Sequence, residues 1–447
     1  MVPIDNRPVC YNLARDITKI DKSIELFLPP RSMMGSLTKP ADIPGLYSWL
    51  GKLPEVDAII LSLDTLAYGG LIPSRRCPEP QAEIQSRMED FKEILETKNA
   101  KIYAVSSIMR ISNNNCNEEE KEYWDKYGEY IFEYSYSKHK YALNLGLEIP
   151  VRNLIPPNIL NDYKKTRSRN FNINRMYLKW KDQGFFDTLI FSKDDCAEYG
   201  YNVLEAEHLE KMGGDVITGA DEIPLSLLAK AIQTEMTVAP VFLEPESKNL
   251  ISNYEDVSIE QCVKNQLKFA GIRISDIDNA DIILYINNFK DHQGEIVMKK
   301  PTEQFSGVFT PPADKPYMIA DVRNANGADN NFVEELIKNF RSDGFYGYSA
   351  WNTSANSLGS LICCAKVKFG AKKYDDKAFK KVQMVRFLDD WAYQANIRQE
   401  ITEPCNISDK MKPYEERVSK LLDLPIKNEY FYPWERLFEV EVSDELF

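Results

Sequence analysis

Two adjacent aspartates, Asp194-Asp195, and a second acidic pair, Asp221-Glu222, are the residues of this chain best suited to chemistry. Neighbouring carboxylates repel, so one tends to keep its proton near neutral pH while the other stays ionised. That division supplies a general acid and a polarising anion, which is what glycoside hydrolysis needs. Asp194 and Asp195 are the expected catalytic pair, with Asp221 and Glu222 in reserve. The expected substrate-binding residues are Asp5, Asn6, Arg7, Asp64, Tyr68, Arg110, Asp321, Asn324, Asn326, Trp351 and Asn352. Their amides and carboxylates can hydrogen-bond hydroxyls, and Tyr68 and Trp351 can stack on a sugar face. A second reading gives Arg7, Arg75 and Arg110 to an anionic or amide substrate of a metal-assisted hydrolase or lyase, because guanidinium grips carboxylate as a fork. A third reading is a non-catalytic sugar or metabolite binder.

Other chemistries find less support. The chain has three histidines, His139, His208 and His292, with no H-E-x-x-H or H-x-H spacing. A histidine-rich zinc site and a Ser-His-Asp triad are therefore disfavoured. Acid/base work falls on carboxylates, Tyr or Lys. No G-x-G-x-x-G follows a strand, and no P-loop occurs, so no nucleotide cofactor is expected. Oxygen ligation of a hard cation by Asp5, Asp64 and Asp194 is chemically open. Nothing in their spacing favours it, and neither metal nor cofactor is expected.

The formal net charge of −13 repels phosphate backbones, so nucleic acid is not an expected partner. No run of about 18 apolar residues appears, so no membrane span is expected. Met1 leads directly into Val2-Pro3-Ile4-Asp5 with no basic, apolar leader. Eight cysteines without a C-x-x-C pair suggest reduced thiols and the cytoplasm. The expected partner is a small-molecule or oligosaccharide substrate, and a homo-oligomer is compatible with the C-terminal region.

The elements that must position these residues are short apolar runs alternating with amphipathic stretches, the signature of β-α-β units. Strands are expected at 2–4, 24–28, 58–63, 101–106, 188–191, 216–218, 239–243, 282–286, 317–320 and 346–349. Helices are expected at 81–97, 203–211, 224–234, 258–270, 331–341 and 354–366. A tyrosine-rich helical insertion fills about 113–184, a long helix 377–399, and a last short strand 434–442. The predicted fold class is α/β: a (β/α)8-barrel-like set of parallel strands, or two doubly wound α/β domains around a cleft. Residues 1–370 form the expected catalytic domain, and 371–447 a helical cap or oligomerisation region. Either architecture puts function at the carboxyl ends of strands, where nearly all the candidates fall. Each candidate also has a plainer role. Asp221, Asn352 or Ser354 can cap a following helix, and Gly69-Gly70 can be a tight turn.

Six motifs, taken in order, resemble one bacterial family. They are Val2-Pro3-Ile4-Asp5-Asn6-Arg7-Pro8, Ser62-Leu63-Asp64-Thr65-Leu66-Ala67-Tyr68-Gly69-Gly70-Leu71, Asp194-Asp195, Gly219-Ala220-Asp221-Glu222, Asn324-Ala325-Asn326-Gly327-Ala328-Asp329 and Trp351-Asn352-Thr353. The family is catalogued as domain of unknown function 4127, and the resemblance spans nearly the whole chain. Members usually carry Asp-Asp where this chain has Asp5-Asn6, and a few more residues before Val2. The resemblance implies no activity. The shorter segment Thr188-Leu189-Ile190-Phe191-Ser192-Lys193-Asp194-Asp195 resembles the strand and adjacent aspartates of barrel glycosidases acting on N-acetylglucosamine. That resemblance implies one aspartate orienting the substrate's acetamido group and the other acting as general acid/base.

Overall fold

A computed structural model describes residues 1–146, 150–194 and 196–444. Asp195 lies outside the described residues. The chain divides into two compact units. The first comprises Met1–Asn6, Phe27–Pro224 and Tyr254–Asp256; the second comprises Arg7–Leu26, Leu225–Asn253 and Val257–Phe447.

In the first unit, four parallel strands run in the order β1 (Ala58–Ser62), β2 (Lys101–Ile108), β3 (Thr188–Lys193), β4 (Asp215–Thr218). β3 is buried at every position, as expected of a parallel strand covered on both faces. The helix Gln81–Glu96 buries Ile84, Met88, Phe91 and Leu95, one stripe at helical spacing. Between β2 and β3 the chain forms the helices Trp124–Ala142 and Pro157–Asp182. Their tyrosine surplus is largely packing: Tyr134 and Tyr163 join Trp124, Ile131 and Leu160 in one buried cluster. The strand expected at 2–4 shrinks to a single parallel bridge, Val2 to Leu61. Pro3 has no N–H with which to continue the ladder. The stretch 24–28 forms no strand; it runs straight into Pro29-Pro30, which are likewise without donors.

The second unit has a five-stranded parallel sheet in the order β11-β9-β7-β5-β6. These strands are β5 (Thr237–Phe242), β6 (Arg273–Ile274), β7 (Ile282–Asn287), β9 (Tyr317–Asp321) and β11 (Phe345–Ser349). The pieces β8 (Gly294–Glu295) and β10 (Asn324–Ala325) pair with each other. The winding reverses between β5 and β7, so the sheet is open and has a topological switch point there. Among the described residues no sheet closes on itself. The expected single (β/α)8 barrel is replaced by two open parallel sheets, because the chain starts a new sheet at β5 and then reverses direction.

Residues beyond 370 group with the second unit. The expected helix 377–399 is a continuous run, but its middle, Phe387–Asn396, is a π-helix. The last strand falls later than expected: β12 (Asn428–Phe431) pairs antiparallel with β13 (Glu441–Asp444).

The helix Ser354–Gly370 is capped by Thr353, whose side chain accepts from the Asn356 N–H; neither Asn352 nor Ser354 caps it. Asn352 instead sits at φ 56°, in the left-handed region. Thr353→Ala should therefore cost about 1 kcal/mol. Asn352→Gly should cost almost nothing, since glycine accepts that backbone freely. Urea unfolding of the two variants checks the contrast.

Candidate functional site

In the first unit the carboxyl ends of the strands carry Asp64, Arg110, Asp194 and Asp221, and Asp5 follows the bridge at Val2. β1 passes directly into the helix Leu63–Tyr68, which puts Asp64 in its first turn. The Asp64 Oδ2 accepts the Ser107 N–H at 2.7 Å, so this carboxylate ties β1 to β2. Burial raises the Asp64 carboxyl to about 6, against the lowering pull of the Ser107 bond and of Arg75. At the helix end, Gly69 (φ 89°) and Gly70 (φ 144°) make the expected tight turn into the helix Leu71–Arg76, which delivers Arg75.

Asp194 lies just past β3 and faces two guanidinium groups. Its Oδ2 is 3.5 Å from Arg110 Nη1 and 3.6 Å from Arg75 Nη2. Both arginines are also held from behind by carboxylates. Arg75 Nη1 donates to Glu120 Oε1 at 3.0 Å. Arg110 Nε donates to the same oxygen at 3.1 Å, and its Nη2 donates to Glu119 Oε2 at 2.7 Å. Ser112 Oγ adds a third donor to Glu120 Oε1 at 3.1 Å. Burial raises the Asp194 carboxyl above its ordinary value; Arg110 and Arg75 oppose the rise, and Asp221 and Glu119 add to it. The Asp194 side chain keeps 18% exposure, whereas Arg75 keeps 1%. The carboxylate is thus the reachable member of a rigid frame.

The reserve acidic pair divides. Asp221 is buried and acts on Asp194 by like charge. Glu222 folds onto its own turn, where its Oε2 accepts the Ala220 N–H at 3.0 Å. Gly219 (φ 131°) is needed there, since a Cβ would run into the Glu222 carboxylate. On the far side of β3, Lys193 Nζ pairs with Asp256, which also accepts from Thr218 Oγ1 at 2.5 Å. Asn6 sits in this unit with its carbonyl accepting from Arg31 Nε at 2.9 Å.

The remaining candidates, Arg7, Asp321, Asn324, Asn326, Trp351 and Asn352, belong to the second unit. All but Arg7 lie at or just beyond strand ends. Arg323 Nη2 donates to Glu244 Oε1 at 2.8 Å, and its Nε donates to Asn287 Oδ1 at 3.0 Å. Asn287 Nδ2 donates to Asp321 Oδ1 at 2.8 Å. Asp321 Oδ2 accepts from the Asp329 N–H at 2.8 Å and from the Tyr348 hydroxyl at 3.1 Å. Asp321 is therefore fully engaged inside the protein. Asn324 is buried beside Gly294, where a Cβ would strike its amide. Asn326 (φ 61°) donates its N–H to the Asn352 carbonyl at 2.8 Å and its amide to Glu295 Oε1 at 2.5 Å.

The two rings expected to stack on a sugar are both buried. Tyr68 lies beneath the Arg169 guanidinium, 5.3 Å from the ring centroid. Trp351 packs its edge on Phe438 at 5.7 Å. Neither offers an open face, because each fills space that the packed interior would otherwise leave empty.

Asp321 carries a testable consequence. Burial, reinforced by Asp329, raises its carboxyl to about 7. An aspartate whose folded value exceeds its unfolded value contributes stability fully at low pH and loses it as pH rises to the folded value. The second unit should therefore weaken as pH rises from about 4 to about 7. Urea unfolding against pH should show that slope, and Asp321→Asn should flatten it.

Sequence reasoning missed Glu119, Glu120 and Asp256. They lie in or beyond elements read only for their shape, Glu119 and Glu120 within the helical insertion expected at about 113–184, and only the fold turns those two carboxylates onto Arg75 and Arg110. The family model described as Protein of unknown function (DUF4127) matches residues 1–443. No curated protein matches the chain.

Proposed function

Because the chain belongs to the DUF4127 family, whose description names no activity, its role has to be sought in its sites, and we propose a glycosidase-type hydrolase centred on Asp194. The observation that carries this reading is the reachable Asp194 carboxyl, raised by burial and by Asp221, and framed by Arg75 and Arg110. A carboxyl that holds its proton to higher pH than an ordinary aspartate is suited to protonate a leaving-group oxygen. Asp221 is the second carboxylate of the pair, and Asp64, raised to about 6 by burial, is a further acid on the same sheet edge. The arginines hold the carboxyl in place without neutralising the edge, since Glu119 and Glu120 already engage them.

That charge balance favours a neutral, hydroxylated substrate over an anionic one. An anion clamp would need guanidinium groups not already committed to carboxylates, and Arg75 and Arg110 are both committed. The substrate of this reading is a small or oligomeric sugar, with N-acetylhexosamine units first to try. The eight cysteines are unpaired, which suits work in the cytoplasm. No helix among the described residues is long and apolar enough to cross a membrane. A panel of nitrophenyl glycosides, N-acetylhexosaminides included, tests the reading directly. Release of nitrophenol from at least one member is expected, and a panel with no turnover over the pH range 4–9 would end it.

A further inference from the structure

A cavity of about 1070 Å³ opens within the first unit, walled by the segment 37–47, the stretch 72–79 and one face of the helix Gln81–Glu96. Small-molecule sites usually span about 300–1,000 Å³, so a ligand has ample room. The cavity includes neither Asp194 nor any group that frames it. Much of its wall is apolar, with Leu37, Ile43 and Ile72 beside four prolines, Pro40, Pro44, Pro73 and Pro78. Proline fixes its own φ and has no N–H, so this wall is stiff and short of backbone donors. Tyr47 also lines it; its hydroxyl donates to the Leu66 carbonyl at 3.2 Å, which leaves the ring as its contribution to the wall. Aromatic rings attract cations.

The charged groups on the walls are mostly acidic. Asp42, Glu79, Glu83 and Asp90 stand against Arg76 and Arg87. Both guanidinium groups are already engaged. Arg87 Nη1 donates to Glu79 Oε2 at 2.9 Å, and its Nη2 pairs with Glu79 Oε1. Arg76 donates to the Glu120 carbonyl at 2.9 Å and to the Asn117 carbonyl at 2.7 Å. Asp42 caps the helix Ile43–Gly51 by accepting the Gly45 N–H at 3.0 Å. Glu83 and Asp90 remain. Both are exposed, and neither has a cationic partner among the described residues. They stand about two turns apart on one side of their helix, with Arg87 between them. Arg87 is four residues from Glu83, the spacing of a helical ion pair, yet its fork is turned to Glu79.

We propose that this cavity binds an organic amine, with its aliphatic chain along the proline wall and its ammonium group at Glu83 and Asp90. The wall removes the chain from water, and the two carboxylates supply the charge that the ammonium lacks. An anion would meet the uncompensated carboxylates and no uncommitted guanidinium, so it is the wrong sign for this cavity. The site does not depend on Asp194 chemistry and stands or falls by binding alone.

Calorimetric titration of the full chain with hexylamine, methylamine and 1-hexanol is the test. Hexylamine should bind below about 5 mM. Methylamine keeps the charge and loses the chain, and should bind at least about tenfold more weakly. Hexanol keeps the chain and loses the charge, and should bind at least about fivefold more weakly. The double variant Glu83→Gln with Asp90→Asn should bind hexylamine at least about fivefold more weakly at an unchanged melting temperature. If that variant does not fold, Glu83→Gln alone should lose at least about twofold. Methylamine as tight as hexylamine would mean only diffuse attraction to an acidic surface, and hexanol as tight would mean only an apolar groove. Either result, no binding of hexylamine, or equal affinity in the folded variant would overturn the site.

Discussion

Asp194→Asn is expected to lower kcat/KM on any aryl glycoside the protein hydrolyses by about 10²–10⁴-fold, the range lost with a general acid. The amide keeps the shape of the carboxylate but has no acidic proton to give. Its pH profile gives a sharper readout. The Asp194 acid form persists to higher pH than an ordinary aspartate, because burial and Asp221 disfavour its ionisation. Activity should fall as pH rises through that raised value, where the proton is lost. Asp221→Asn removes the like charge, so this basic limb should move to lower pH. A merely structural Asp221 would leave the limb in place. Full activity in both variants, with unaltered pH profiles, would sink the assignment.

Glu120→Ala should produce the largest loss of stability, about 3–5 kcal/mol, because it breaks a buried ion pair on one side only. Glu120 keeps 4% exposure and accepts on one oxygen from Arg75, Arg110 and Ser112. Arg75 keeps 1% exposure, and its Nη2 already has no hydrogen-bond partner. Without Glu120 its charge would remain buried with only the longer carboxylate contacts, to Asp194 Oδ2 at 3.6 Å and Glu119 Oε2 at 3.8 Å. Glu119→Ala is the control. That side chain is 22% exposed and pairs chiefly with the more accessible Arg110, so its loss should cost about 1 kcal/mol or less. Urea unfolding compares the two. Equal, small losses would mean that the arginine frame is not held by Glu120.

Most elements were legible because their signals are local. The apolar runs at 58–62 and 101–108, the stripe Ile84, Met88, Phe91, Leu95 and the Gly69-Gly70 turn each follow from neighbouring residues. So does the placing of Asp64, Asp194 and Asp221 after strands, since loops at strand ends are where polar residues collect. Pro3 and Pro29-Pro30 were equally local, and they explain why two expected strands failed to form.

The chain's own order of residues therefore determined that parallel strands alternate with helices and that acidic and amide groups stand at the strands' carboxyl ends. Only the tertiary structure decided how the strands are shared between two open sheets, since each parallel pairing joins segments dozens of residues apart and periodicity is blind to partners. It also decided which carboxylates act together. Glu120 meets Arg75 across a sequence gap that no spacing rule spans. Glu222, one residue from Asp221, turned back onto its own loop. Proton affinity depends on burial and on charges a few ångströms away, and both are properties of folded space.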